Sequence, residues 1–139
     1  MKILFAGNKN RGVVCLRAIL EYGVEVKGVI APPDNQISSW YPSLNTFAKK
    51  KGLKVFQPPN INSPKFVKTV RKLEPDLIVL AGYNQILKNR IIEIPEKGVL
   101  NLHGGKLPDY RGASTLNWMI INGETMGAIA SILIDEGID

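Results

Sequence analysis

The sequence predicts an α/β fold, a Rossmann-like three-layer sandwich with a mostly parallel sheet, and three observations carry that prediction. Short apolar runs alternate with amphipathic stretches along the chain, from "KILFA" at residues 2–6 to "MGAIASILI" at residues 126–134. Such alternation argues a parallel-rich sheet covered by helices on both faces. Turn-rich segments, "GNKNRG", "GYNQIL" and "HGGKLPDYRG", follow the first, fourth and fifth runs, where an open sheet of this class gathers its ligand crevice.

Taken in order, "KILFA" reads as a first strand and "GNKNRG" as the turn after it. "VVCLRAILEYG" follows as a helix, its apolar positions 13, 14, 16, 19 and 20 sharing one face and Gly23 closing it. "VEVKGVIA" (24–31) reads as a second strand and "PPDNQISSWYPS" as a loop. Ser43 then caps a helix through "LNTFAKKK" that stops at Gly52. "LKVFQ" (53–57) is a third short strand, and Ser63 with Pro64 opens a helix through "KFVKTVRKLE". "DLIVLAG" (76–82) is a buried strand, "GVLNLH" (98–103) another, "STLNWMIING" (114–123) a capped helix, and residues 126–134 a last strand.

A chain of 139 residues, 45% hydrophobic and 22% charged, without internal repeats or linkers, reads as one domain with its own core. Eighteen Lys and Arg against twelve Asp and Glu give +6, which favours an anionic ligand such as a nucleotide, a phosphate or an RNA backbone, or simply keeps the protein soluble. No apolar run approaches the roughly 18 residues of a spanning helix, and "MKILFAG" is too short for a signal peptide, so the expectation is a cytoplasmic protein with no membrane partner. The single cysteine, Cys15, excludes an internal disulfide and falls on the apolar face of the first helix, as a buried structural thiol does.

"GNKNRG" lacks the Lys-Ser/Thr of a Walker loop and the middle glycine of the dinucleotide fingerprint, which argues against ATP or NAD. A helix start beside Lys9 and Arg11 still favours an anion, with a merely tight turn as the competing reading. Asn101 and the only histidine, His103, stand two apart on a strand and therefore face the same side. An amide that donates without titrating, beside an imidazole that titrates near neutral pH, is equipment for acyl transfer to an amine. Gly104 and Gly105 would let a substrate approach the backbone. One His and one Cys cannot build a typical zinc site, so no metal is expected. Tyr110 reads as packing with a hydroxyl partner, Arg111 as a brace for its loop, Trp118 as core, and Trp40 as a loop aromatic that contacts ligand.

"NLHGGKLPDYRG", "LNWMIINGE" and "GAIASILIDEGID", together with "KILFAGN" and "PDLIVLAGYNQIL", resemble the folate-dependent formyltransferases. The resemblance covers nearly the whole chain and implies that family's N-terminal domain fold and formyl transfer from 10-formyltetrahydrofolate, a co-substrate, to a primary amine. It assigns catalysis to Asn101, His103 and Asp139, with Asp135 as the competing acid. It places the folate against Leu80, Ala81, Tyr83, Ile86 and Leu87, beside Asp135, with Tyr83 either stacking or packing. On the acceptor side it leaves Lys9, Asn10, Arg11, Gly104, Gly105, Lys106 and Tyr110.

Where many members carry Ser-Leu-Leu-Pro, this chain has Gly105-Lys106-Leu107-Pro108, the form that looks most like members acting on a nucleotide-linked amino sugar. Lys9, Arg11 and Lys106 would then serve the diphosphate; Met-tRNA is the second acceptor and glycinamide ribonucleotide the third. Members continue past the position of Asp139, so residues 1–139 are expected to be a catalytic domain truncated at its C-terminal end, with any homo-oligomer formed through residues beyond 139. The reading from another class is a non-catalytic Rossmann-like module that binds a nucleotide or RNA through its basic surface, with His103 only a structural histidine bonded to backbone.

Overall fold

The computed structural model describes residues 1–34 and 42–135. Its elements run β1 (Lys2–Gly7), α1 (Lys9–Glu21), β2 (Glu25–Ile30), α2 (Leu44–Lys50), β3 (Val55–Phe56), α3 (Pro64–Leu73), β4 (Leu77–Ala81), α4 (Asn89–Ile92), β5 (Val99–His103), α5 (Thr115–Ile121) and β6 (Ala130–Leu133). The strands form one sheet in the order β3-β2-β1-β4-β5-β6. All neighbours pair in parallel except β5 and β6, which run antiparallel with His103 opposite Ala130 and Leu100 opposite Leu133. The α/β Rossmann-like prediction stands.

Alternation along the strands splits the core in two. Leu4, Ala6, Ile78, Leu80 and Val99 point to one face and meet Phe66, Val67 and Val70 of α3 and Ile91 of α4. Ile3, Phe5, Val79 and Ala81 point to the other and meet Val13 and Leu16 of α1 with Leu44 and Ala48 of α2. Each Val, Leu, Ile or Phe side chain removed from water contributes about 1.5–3 kcal/mol, which is why the continuous apolar runs, covered on both sides, sit at the centre of the sheet.

Local signals fix several boundaries. The Ser63 hydroxyl accepts from the Phe66 amide with Pro64 in the first turn of α3, and the Ser43 hydroxyl accepts from the Thr46 amide at the start of α2. Helix α1 starts at Lys9, not at Val13 as its apolar face predicts, so "GNKNRG" is the end of β1 and the first turn of α1. That close junction needs glycine: a Cβ on Gly7 would lie 2.9 Å from the Phe5 ring and 3.2 Å from the Gly12 Cα.

Four other expectations are corrected. Strand β3 is two residues, because only Val55 and Phe56 reach β2 at the sheet edge. The single turn α4 carries too few residues for a periodic signal and had no sequence counterpart. The last strand is shorter than 126–134. Ser114 makes no side-chain cap and adopts a left-handed φ of 58°.

Helix α5 also lies at the sheet margin, so Met119 and Thr115 are buried while Trp118 is 56% exposed and not in the core. Leu116, Ile120, Ile121, Met126, Ile129 and Leu133 are exposed with it.

Candidate active site

The strand order reverses its winding between β1 and β4, and the crevice at such a point opens beyond the carboxyl ends of the strands. There the Asn8 amide bonds the Ala81 carbonyl at 3.3 Å, drawing the start of α1 onto the end of β4. Arg11 leans back across the same place: a Cβ on Gly82 would lie 3.4 Å from its Cδ, and one on Gly104 would lie 3.5 Å from its guanidinium nitrogens. One side chain thus spans the ends of β4 and β5. Lys9 and Asn10 stand exposed in the same first turn.

Asn101 pairs with Leu80 of β4 and Ile132 of β6, and His103 lies two residues on, on the same face as Val99. His103 is only 5% exposed. Its Nε2 lies 2.7 Å from the Tyr110 carbonyl, and because a carbonyl can only accept, Nε2 carries the proton.

Gly105 makes that contact sterically feasible. A Cβ there would fall 2.6 Å from the Tyr110 oxygen and 2.7 Å from Nε2. The missing side chain therefore makes room for the protein's own carbonyl. The Gly104 carbonyl accepts from the Thr115 hydroxyl. Lys106 is exposed, and its carbonyl accepts from the Tyr110 amide at 2.9 Å. The Tyr110 hydroxyl donates to Glu124 Oε1 at 3.0 Å and accepts from Asn122 Nδ2 at 3.2 Å, and Arg111 Nε donates to the Pro108 carbonyl at 3.3 Å.

On the expected folate side, Leu80, Ala81 and Leu87 are buried, and Tyr83 packs half-buried against the α3 and α4 core. Burial pushes the Tyr83 phenol up to about 12. Ile86 exposes 71% of its surface, yet its carbonyl accepts from Asn62 Nδ2 at 2.9 Å while Asn62 Oδ1 accepts from the Lys88 amide at 2.8 Å. Gln85 Oε1 accepts from the Ile61 amide at 2.8 Å, and its Nε2 donates to the Pro58 carbonyl at 3.2 Å. Two amide side chains therefore set the course of residues 82–88, and part of that backbone edge is already occupied. Asn62, Gln85, Thr115 and Glu124 were not singled out from sequence; paired loop amides were the only signal.

The Ile134 amide bonds the Val99 carbonyl at 2.8 Å, at the opposite end of β5 from His103. Four strand positions separate those levels, about 13 Å, so Asp135, exposed just past Ile134, does not stand beside His103. Trp40 and Asp139 lie outside the described residues.

A groove of about 420 Å³ lies on the other face of the sheet, against Arg11, Cys15, Leu102, Leu116 and Ile129. Cys15 is half-buried there, not fully buried. Its thiol is raised by burial, with Arg11 partly offsetting. Among the described residues, no three His, Cys, Asp or Glu converge as metal ligands do, and no helix is long and apolar enough to cross a membrane.

Residues 4–139 match the family model described as Formyl transferase. The chain is 38% identical over 144 residues to the methionyl-tRNA formyltransferase of Caldanaerobacter subterraneus subsp. tengcongensis, covering all of this chain and 47% of that protein. The chain thus spans about half the length of the curated relatives it matches. Phosphoribosylglycinamide formyltransferase from Bacillus halodurans superposes with a TM-score of 0.81 at 17% identity, over 100% of this chain and 74% of that one. The N-formyltransferase from Helicobacter canadensis, in complex with folinic acid and dTDP-3-aminofucose, superposes with a TM-score of 0.70 at 25% identity, over 99% and 48%. With the match running from β1 through Asn101 and His103 to Asp139, the chain belongs to the formyl transferase family.

Proposed function

We propose that the protein is a cytoplasmic enzyme that transfers a formyl group from 10-formyltetrahydrofolate to a primary amine. The observation that carries this reading is the pair Asn101 and His103 on one face at the carboxyl end of β5, with His103 held through Nε2. The amine nitrogen attacks the formyl carbon, a carbon–nitrogen bond forms, and the carbonyl oxygen becomes an oxyanion to which the Asn101 amide donates. With Nε2–H on the Tyr110 carbonyl, His103 Nδ1 takes the proton that the amine loses and the resulting imidazolium then stabilises that oxygen; collapse breaks the bond to N10 of the folate, which takes that proton as it leaves. Asp139 supports the imidazolium in this scheme. Residues 80–87 bind the folate, whose pterin offers donors and acceptors that suit a strand edge.

For the acceptor, the 38% identity to a methionyl-tRNA formyltransferase moves Met-tRNA ahead of the amino sugar that the Gly-Lys-Leu-Pro form favours from sequence. A nucleotide-linked amino sugar is the second reading. It draws on the cations Lys9, Arg11 and Lys106 and on the likeness to the enzyme bound to dTDP-3-aminofucose.

Incubating the full-length protein with 10-formyltetrahydrofolate and, separately, Met-tRNA, a dTDP-linked amino sugar and glycinamide ribonucleotide tests both levels. Tetrahydrofolate release with one acceptor assigns it, and a tRNA acceptor adds a steep salt dependence because many phosphates are neutralised. No release with any of them, with RNA bound and folate not, supports the non-catalytic module instead.

A further inference from the structure

Helix α5 grips the segment that follows His103 at both of its ends. At its start, the Thr115 hydroxyl donates to the Gly104 carbonyl. Past its end, Glu124 Oε1 and Asn122 Nδ2 take the Tyr110 hydroxyl at 3.0 Å and 3.2 Å. Glu124 is itself anchored, its amide bonding the carbonyl of buried Met119 at 2.9 Å. Between these grips lies the Tyr110 carbonyl that receives His103 Nε2–H at 2.7 Å. The Tyr110 ring therefore acts as a strut, fastened by its hydroxyl at one end and carrying at the other the oxygen that orients the imidazole.

We propose that Tyr110 and Glu124 are positioning residues for His103: their hydrogen bond sets the place of the Tyr110 carbonyl, which fixes the ring plane of the imidazole, and neither residue touches the acceptor. This inference rests on the catalytic reading of His103 and replaces the acceptor contact that sequence assigns to Tyr110. The hydroxyl–carboxylate bond lies at the surface, so its loss leaves the fold standing. Its effect reaches the reaction because a small misplacement of a catalytic group is costly in rate.

The test uses the full-length protein and the variants Tyr110→Phe, Glu124→Ala and Glu124→Gln, with the Tyr110→Phe/Glu124→Ala double variant. The Nε2 proton of His103 is followed by ¹H–¹⁵N NMR, assigned by its loss in His103→Asn. Expected are a fall in kcat of about tenfold in Tyr110→Phe and Glu124→Ala, folate Kd within about twofold, and exchange broadening of the Nε2 proton. The double variant loses no more than either single one, and Glu124→Gln, which keeps an acceptor oxygen, restores most of the rate. A wild-type kcat in both single variants, or a sharp Nε2 proton in Glu124→Ala, overturns the proposal. The NMR arm reads His103 without turnover, so a wild-type protein inactive with every acceptor defeats the transferase reading alone.

Discussion

His103 Nε2 and the Tyr110 carbonyl, seven residues apart, meet at 2.7 Å only because residue 105 between them has no side chain. Gly105→Ala would put a methyl group 2.6 Å from that oxygen, and overpacking of this kind costs about 1–3 kcal/mol. The expected outcome is a folded protein with kcat reduced by about 10²-fold, read by steady-state kinetics beside a thermal melt. Retention of full activity would separate His103 orientation from catalysis.

Substitution at the three proposed catalytic residues gives the steepest effects. In the full-length protein, His103→Asn, Asn101→Ala and Asp139→Ala each lower kcat by about 10²–10⁴-fold while folate binding, followed by fluorescence titration, stays close to wild type. Wild-type turnover in Asp139→Ala would remove that residue from the scheme.

Gln85 joins residues 82–88 to the backbone of buried Ile61. Gln85→Ala leaves the Ile61 amide without its partner, a loss of about 1–3 kcal/mol in urea unfolding. The folate affinity falls with it, because the strand end proposed to bind the pterin loses its tether. Unfolding at the wild-type midpoint would show that water substitutes for the side chain.

Tyr83 supplies an alkaline signature. Its phenol, with an ordinary value near 10, ionises only at about 12 because burial disfavours the phenolate. The folded state thus holds a proton that the unfolded state releases, so this contribution to stability is complete below pH 10 and declines as pH rises from 10 towards 12. Tyr83→Phe flattens stability against pH in that window and leaves neutral pH unaffected by this term. Absorbance titration of the phenolate checks the late ionisation directly.

Arg11 lies across Gly82 and Gly104 at the head of the crevice. Arg11→Ala should raise the acceptor KM about tenfold for an anionic acceptor, leave the folate Kd within twofold, and flatten the dependence of KM on salt. An unchanged acceptor KM would make Arg11 a packing residue.

Much of the frame could be read from local sequence because its causes are local. The runs at Ile3–Ala6 and Ile78–Ala81 are apolar at every position, as strands covered on both faces must be, and Ser63-Pro64 announces α3 within two residues. The face shared by Asn101 and His103 follows from strand alternation alone. What escaped the sequence depends on distant partners. Gln85 meets Ile61 across 24 residues and Tyr110 meets Glu124 across 14, and neither pairing leaves a periodic trace. The repeat Leu116, Met119, Ile120 correctly marked a helix, yet only Met119 turns inward, because periodicity fixes the helix and not how much of it meets the sheet.

The outward position of Trp118 gives the molecule an optical property. An indole 56% open to water, one helical turn from exposed Ile121, emits towards the red, and anything that settles on that side of α5 shifts that emission to the blue. The sequence contains one other tryptophan, Trp40, so the Trp40→Phe variant leaves Trp118 as a single-site indicator of whether this side of the protein is wet or covered.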